Sequence, residues 1–262
     1  MIENQHTIIA MLVGNTNTLA GLYDLRNPGK ISSDLHRIAN QDAADAARAI
    51  AALDEDAPIV VASVNDPWTD QLVTALEAAG RRTLRIGHEI GINMNHRVDD
   101  EQRTGIDRFL AARGAYQVFQ QACVIVDAGT AVTVDFIDGE GTFEGGAIAP
   151  GARMSLAALA ERTAALPEIE LRPPESDPFG RNTAQAILNG IVYGIRGLVR
   201  VLTERYAEAF EAYPLIVATG GDAALIFKDD ELIERIVPDL ALIGVAVSMR
   251  DALEAEDAEV KE

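Results

Sequence analysis

A β-rich apolar run from Thr7 to Val13 opens the chain, the turn residues Gly14-Asn15-Thr16-Asn17 interrupt it, and strand-like composition resumes from Thr18 to Asp24. That pattern predicts a hairpin. It returns about 115 residues later: Cys123 to Val126 is an apolar strand, Asp127-Ala128-Gly129-Thr130 a turn, and Ala131 to Ile137 alternates as a second strand. Two such hairpins at the spacing of two ordinary domains predict a duplication. Between them, Asp42 to Leu53 reads as an Ala-rich amphipathic helix, Ile59 to Val64 as a buried strand, Thr69 to Ala79 as a helix and Thr83 to Ile86 as a short strand. Gly105-Ile106-Asp107-Arg108 opens a helix running to about Gln120, with Asp107 placed to cap it. The second half reads as a strand from Thr142 to Ile148, a helix from Ala152 to Ala165 ended by Pro167, and a long helical region from Asn182 to Ala212. A strand from Leu215 to Ala218 then leads into Gly220-Gly221-Asp222 and a helix, and Asp239 to Ala255 closes the fold. The alternation predicts an α/β fold in two domains, residues 1–118 and 119–262. No linker rich in Gly, Ser or Pro separates them, so a cleft between closely packed halves is expected.

At 262 residues and 48% hydrophobic composition the chain has enough apolar material for packed cores. Its 22 Lys+Arg against 41 Asp+Glu leave a net charge of -19, a field that repels phosphate backbones and anionic headgroups and predicts neither nucleic acid nor membrane as partner. Part of the excess lies in Asp251 to Glu262, which reads as the solvated end of the last helix. The single cysteine, Cys123, sits in an apolar run, which excludes an internal disulfide and suits a reducing cytoplasm. Glu3, Asn4, Gln5 and His6 precede the first strand where a leader would carry basic residues. Ala184 to Leu202 is apolar enough to resemble a membrane segment, but Gln185, Asn189, Arg196 and Arg200 interrupt it, and it reads as a buried soluble helix. Glycines 190, 194 and 197 in that helix each cost about 1 kcal/mol unless close packing compensates, so close helix approach is expected within the fold or across a dimer.

Gly-centred turns let backbone N–H groups approach an anion, and each hairpin turn here is either an ordinary structural turn or half of a phosphate cradle. Two copies in equivalent places favour the cradle. Asp107 is, from the residues alone, a helix cap or a general base. Asp127 ends a buried strand, where a carboxylate needs a cation or donors nearby. Thr130 is a turn hydroxyl or a phosphate contact, Asp135 a polar strand end, and Trp68 a packing residue. His6, His36, His88 and His96 have no mutual metal-ligand spacing.

In order along the chain, the motifs resemble those of the type III pantothenate kinases of the actin-like and sugar-kinase superfamily. Gly14-Asn15-Thr16 resembles the end of a first phosphate motif, Gly105-Ile106-Asp107-Arg108 a Gly-x-Asp-Arg signature, and Asp127 to Asp135 a second phosphate motif. Gly145 to Gly151, Thr183 to Gly190, Ala218 to Asp222 and Pro238 to Gly244 follow in the same order, over residues 8 to about 250. The resemblance implies two duplicated ribonuclease H-like (actin-like ATPase) domains and ATP-dependent phosphorylation of pantothenate to 4'-phosphopantothenate, the first step towards coenzyme A. Asp107 is then the catalytic base. Leu12, Val13, Gly14, Asn15, Thr16, Asn17, Thr18, Leu19 and Thr130 are implied to bind ATP, and Gly105, Ile106, Asp107, Arg108 and Thr183 the substrate. Asp127 would serve a monovalent cation, K+ or NH4+, alongside Mg2+ carried with ATP. Gly220 and Gly221 are a place for adenosine, and a homodimer completes the pocket. Two departures stand out. Leu12 occupies the place of the first motif's Asp, and an alkyl group cannot ligate a hard cation. Val98 stands where a substrate-contacting Tyr is common. Leu12 leaves a second reading beside the kinase, an impaired or inactive paralogue with a binding or regulatory role.

Overall fold

The structure is a computed structural model that describes residues 6–175 and 177–259. The residues read as lacking a leader (Glu3 to Gln5) and the last three of the acidic end lie outside the described residues. The first half runs β1 (Thr7–Val13), β2 (Asn17–Asp24), β3 (His36–Ala39), α1 (Ala43–Ala51), β4 (Ile59–Ser63), α2 (Asp66–Ala78), β5 (Thr83–Arg85), a 3-10 turn (Glu101–Arg103) and α3 (Ile106–Phe119). The second runs β6 (Cys123–Ala128), β7 (Ala131–Ile137), β8 (Phe143–Pro150), α4 (Ala152–Arg162), α5 (Thr183–Phe210), β9 (Leu215–Thr219), α6 (Ala223–Ile226), β10 (Arg235–Ile236) and α7 (Leu240–Glu259).

The duplication is visible strand for strand. One sheet has the order β3-β2-β1-β4-β5 and the other, read from its far edge, β8-β7-β6-β9-β10. In the first, β1, β2 and β3 form an antiparallel meander, and β4 and β5 run parallel to β1. In the second, β6 pairs antiparallel with β7 and parallel with β9, which pairs parallel with β10. Three meander strands followed by two strands reached through helical crossovers make the expected ribonuclease H-like α/β sheet. The short strand β3 is absent from the sequence reading, since His36–Ala39 offers only Ile38 and an exposed Ala39 as apolar positions and no apolar run.

The chain divides into two compact units. The first gathers the chain up to Gln120, Gly141–Phe143 and the segment from Asp239 on; the second holds Gln121–Glu140 and Glu144–Pro238. The final helix therefore belongs with the first unit and not with residues 119–238 that precede it. Its composition gives the reason. Leu240, Leu242, Ile243, Val245, Ala246 and Val247 are all buried, leaving hardly any polar face between them. Such a stretch must be covered on several sides. It lies against β1, β2 and β4 and along α3. The two helix backbones touch: a Cβ on Gly244 would overlap the Leu110 carbonyl oxygen, and one on Gly114 the Leu240 carbonyl oxygen. Arg113 Nη2 donates to Asp251 at 2.7 Å, and Tyr23 Oη to Asp239 at 2.7 Å, so α7 is held at its start and again near its middle. Gly244→Ala is expected to destabilise the protein by about 1–3 kcal/mol, because the added methyl meets rigid backbone on the partner helix. A denaturant midpoint equal to the parent's would contradict that contact.

In unit one, Ile9, Met11 and Val13 face α1 and α2, against Ala46, Ala47, Ile50, Leu72 and Leu76. The other face of β1 carries Ile8, Ala10 and Leu12. In unit two, Val124, Val126 and Ala128 face α4 and α5, against Leu156, Ile187, Leu188 and Val192. Cys123, Ile125 and Asp127 take the opposite face. The helix α5 is amphipathic and not buried all round. Ile187, Leu188, Val192, Ile195 and Val199 are buried, while Tyr193 and Val201 are 45% and 53% exposed. It is the one described helix long and apolar enough to cross a membrane, with mean hydropathy 1.3 over 18 residues. Its inner face belongs to the core of unit two.

Candidate active site

Each hairpin closes on a glycine. In the first, Gly14 N–H donates to Asn17 O at 3.0 Å; in the second, Gly129 N–H donates to Ala131 O at 2.9 Å. Leu12 and Asp127 stand two residues before these glycines, both on the sheet face turned away from the α1/α2 and α4/α5 layers. They are positional equivalents, one alkyl and one carboxylate. Leu12 is 9% exposed and pairs with Leu19 and Ala62 in its ladders.

The residues of the first turn divide by exposure. Asn15 and Thr16 are exposed, Gly14, Asn17 and Leu19 half-buried, and Leu12, Val13 and Thr18 buried. Thr18 has no exposed surface, and its hydroxyl donates to Asn40 Oδ1 at 2.8 Å while accepting from Trp68 Nε1 at 3.2 Å. Its place is under the turn, where a ligand cannot reach the side chain. Asn40 in turn donates from Nδ2 to Gly14 O at 2.8 Å.

The second turn is enclosed by main chain. A Cβ on Gly151 would overlap the Gly129 and Thr130 carbonyl oxygens, and one on Gly220 would overlap Asp127 Oδ1. Gly220 also holds φ +93°, a conformation that glycine adopts freely. With no side chains on these two sides, the half-buried Asp127 carboxylate and the exposed Thr130 sit in a backbone cradle. Just beyond it Asp222, 5% exposed, accepts from Arg153 Nε at 3.0 Å and donates its own N–H to Ala128 O at 2.9 Å. Thr183 is exposed on the first turn of α5, whose cap is Asn182. Asp135 lies inside β7 and is 2% exposed, so it is no strand end.

Asp107 does not cap α3. The N-cap position is Gly105, without a side-chain cap, and the Asp107 Oδ1 accepts from the Arg108 N–H at 2.9 Å one residue further on. Burial pushes the Asp107 carboxyl above its ordinary value, against the opposing pull of the Arg108 N–H and guanidinium. Gly105 makes room for it, since a Cβ there would stand 2.5 Å from Asp107 Oδ1. Gly105→Ala is expected to lower kcat by about tenfold to a hundredfold by swinging the carboxylate aside. The melting temperature should barely move, because a side-chain end gives way easily. An unchanged kcat would remove Gly105 from the positioning of Asp107.

Arg108 lies with its Cζ 5.6 Å from the centre of the Phe143 ring. Phe143 is itself fixed, donating from N to Asn95 O at 2.8 Å and accepting at O from the Arg97 N–H at 2.9 Å. The sequence reading gave Phe143 no role beyond a strand. A cavity of about 510 Å3 opens alongside, lined among others by Gly87, Met94, His96, Thr104, Ile106 and Phe109. That volume falls within the roughly 300–1,000 Å3 of small-molecule sites.

Among the described residues no three His, Cys, Asp or Glu side chains gather into a metal site. Cys123 is buried and its thiol is pushed up to about 12 by burial, which makes it an inert core residue.

Comparison with known proteins agrees across nearly the whole chain. The type III pantothenate kinase from Syntrophotalea carbinolica is 34% identical over 250 residues, covering 92% of this chain and 97% of that protein. The type III pantothenate kinase from Geobacter sulfurreducens is 34% identical over 249 residues, with the same coverage. Among solved structures, the activator of 2-hydroxyisocaproyl-CoA dehydratase from Clostridium difficile, bound to ADPNP, superposes with TM-score 0.54 over 96% of this chain and 97% of its own. At 13% identity that likeness speaks for the fold alone. The sequence profile of type III pantothenate kinases matches residues 8–205, and with these relatives it establishes that the chain belongs to the type III pantothenate kinase family.

Proposed function

We propose that the chain transfers the γ-phosphoryl group of ATP to the primary hydroxyl of pantothenate, giving 4'-phosphopantothenate and ADP, the first step of coenzyme A biosynthesis. The observation that carries the reading is the Asp107 carboxylate at the head of α3, given room by Gly105 and adjacent in the chain to Ile106, which lines a cavity of small-molecule size. The new bond joins the substrate oxygen to Pγ as the bond from Pγ to the β-γ bridging oxygen breaks, and Asp107 takes the hydroxyl proton. A carboxyl raised by burial is a better base than an ordinary aspartate. Arg108, steadied on Phe143, is the group we assign to the substrate carboxylate. The cavity along Ile106 and Phe109 takes the rest of the molecule.

Gly14 to Asn17 and Thr130 are assigned to the ATP phosphates, with Leu12, Val13, Thr18 and Leu19 shaping the first turn from within. A divalent ion supplies charge neutralisation when bound with ATP. Asp127, in its backbone cradle, is assigned to K+ or NH4+. The paralogue reading rests on Leu12 alone and gains no support from the relatives. The test is ADP release that begins only when pantothenate is added; release at the same rate without it contradicts the reading.

The same reading includes a homodimer and a cytoplasmic site of action. Among the described residues, the helix's own nearby backbone aside, nothing approaches within 4 Å of a Cβ placed on Gly190, Gly194 or Gly197, so the close approach expected of these glycines is not met there. With Tyr193 and Val201 exposed, they leave α5 a face suited to a second copy. Light scattering at micromolar concentration is expected to give twice the 28.1 kDa chain mass, and a monomer mass would overturn the dimer.

A further inference from the structure

Trp68 is the single tryptophan of the sequence and stands in the first turn of α2, half-buried. An indole N–H can only donate, so the bond from Trp68 Nε1 to Thr18 Oγ1 (3.2 Å) fixes the direction of everything beyond it. The Thr18 hydroxyl must then send its own hydrogen onward, to Asn40 Oδ1 at 2.8 Å. That orients the Asn40 amide, whose Nδ2 faces Gly14 O at 2.8 Å. Asn40 also donates its main-chain N–H to Thr16 O at 3.0 Å, so it grips the turn at both ends. Asn65, the cap of α2, adds a longer approach from Nδ2 to Gly14 O at 3.5 Å. The groups that make these bonds are buried (Thr18) or half-buried (Asn40, Asn65, Trp68), while Asn15 and Thr16 are exposed.

We propose that Trp68 is a positioning residue for the nucleotide: through Thr18 and Asn40 it sets the conformation of the Gly14–Asn17 turn, and its indole reports when that turn is occupied. The inference rests on the reading of this turn as a phosphate site. A turn already held in one conformation binds without the cost of ordering it, and loosening the hold shifts affinity for nucleotide and not for the alcohol substrate. The relay is buried at Thr18 and fully satisfied, which gives it the stiffness of a closed network.

The experiment follows Trp68 emission of the full chain during titration with MgATP, alongside equilibrium dialysis of labelled ATP. Saturable change with MgATP, none with pantothenate alone, is expected. Trp68→Phe, which keeps the ring but loses the donor, is expected to weaken ATP about threefold to tenfold, with the KM for pantothenate unchanged. Asn40→Asp, which sets a carboxylate against Gly14 O, is expected to weaken it at least as much. ATP that binds by dialysis without altering emission, or variants that bind it as the parent does, overturn the proposal, and so does a failure to bind ATP at all. Should Trp68→Phe not fold, the parent's titration decides alone. Binding is read without turnover, so a protein that binds ATP in this way yet leaves pantothenate untouched keeps this inference and loses the proposed function.

Discussion

Asp107→Asn is expected to lower kcat/KM for pantothenate by about 10²–10⁴-fold, the usual contribution of a positioned base, while leaving the protein more stable at neutral pH. The amide oxygen can still accept from the Arg108 N–H, so the first turn of α3 keeps its geometry, but the group no longer takes a proton. The gain in stability follows from linkage. Because burial raises the carboxyl in the folded state, the folded protein binds that proton more tightly than the unfolded chain does. Stability from this group is therefore greatest at acid pH and falls as pH rises through the folded value, above which the ionised side chain is a cost. Removing it should help most at pH 7, with the gap to the parent narrowing on acidification. The acid limb of the parent's kcat/KM should lie above the range of an ordinary aspartate, about 3.9. Denaturant midpoints at several pH values and a pH–rate profile check both halves. A variant that is inactive and less stable at pH 7 would make Asp107 a structural residue, and one that turns over within a few-fold of the parent would end its role as base.

Leu12→Asp is expected to raise kcat/KM at saturating Mg2+ by about tenfold or more and to destabilise the ligand-free protein. Leu12 is the positional equivalent of Asp127, two residues before the turn glycine and on the same sheet face of its own unit. A carboxylate there could orient the divalent ion that otherwise depends on the phosphates and water, and ordered charge neutralisation is worth several kcal/mol in phosphoryl transfer. The cost comes from placing a charged group at a residue only 9% exposed to solvent. Thermal melts with and without MgATP separate the two effects, since stability lost in the free protein should return with the nucleotide complex. If rate and melting both stay at the parent's values, the site has no use for a carboxylate at position 12.

The hairpins were legible because each strand is an apolar or alternating run of at least four residues bounded by turn chemistry; β1 and β7 occur at the bounds read from sequence. What escaped the reading depends on contacts between distant segments. β3 has almost no apolar signal, and its ladder to β2 makes it a strand. The destination of α7 was invisible for a related reason. Glycine within a helix marks either a cost or a close approach, and the pattern alone drew attention to Gly190, Gly194 and Gly197. Among the described residues those three meet no other element, while Gly114 and Gly244, 130 residues apart, bring two helices into backbone contact. In the site, residue types were legible and their duties only partly so. Asp107 drew attention both as a cap and as a base, and the N-cap position falls to Gly105. Thr18, read from sequence as a ligand contact, lies buried as a support of the first turn, and Trp68 combines packing with a directed hydrogen bond that no periodicity could have announced. Phe143 reaches Arg108 from 35 positions away in sequence, again without a local signal.

The central claim is tested most directly by product identity. Purified full-length chain is incubated with ATP, Mg2+, K+ and pantothenate, and the organic products are resolved by mass. The account predicts 4'-phosphopantothenate formed in step with ADP, absent when pantothenate is omitted and reduced to background by Asp107→Asn. ATP converted to ADP with pantothenate recovered unchanged, or no ADP under any of these conditions, would contradict it.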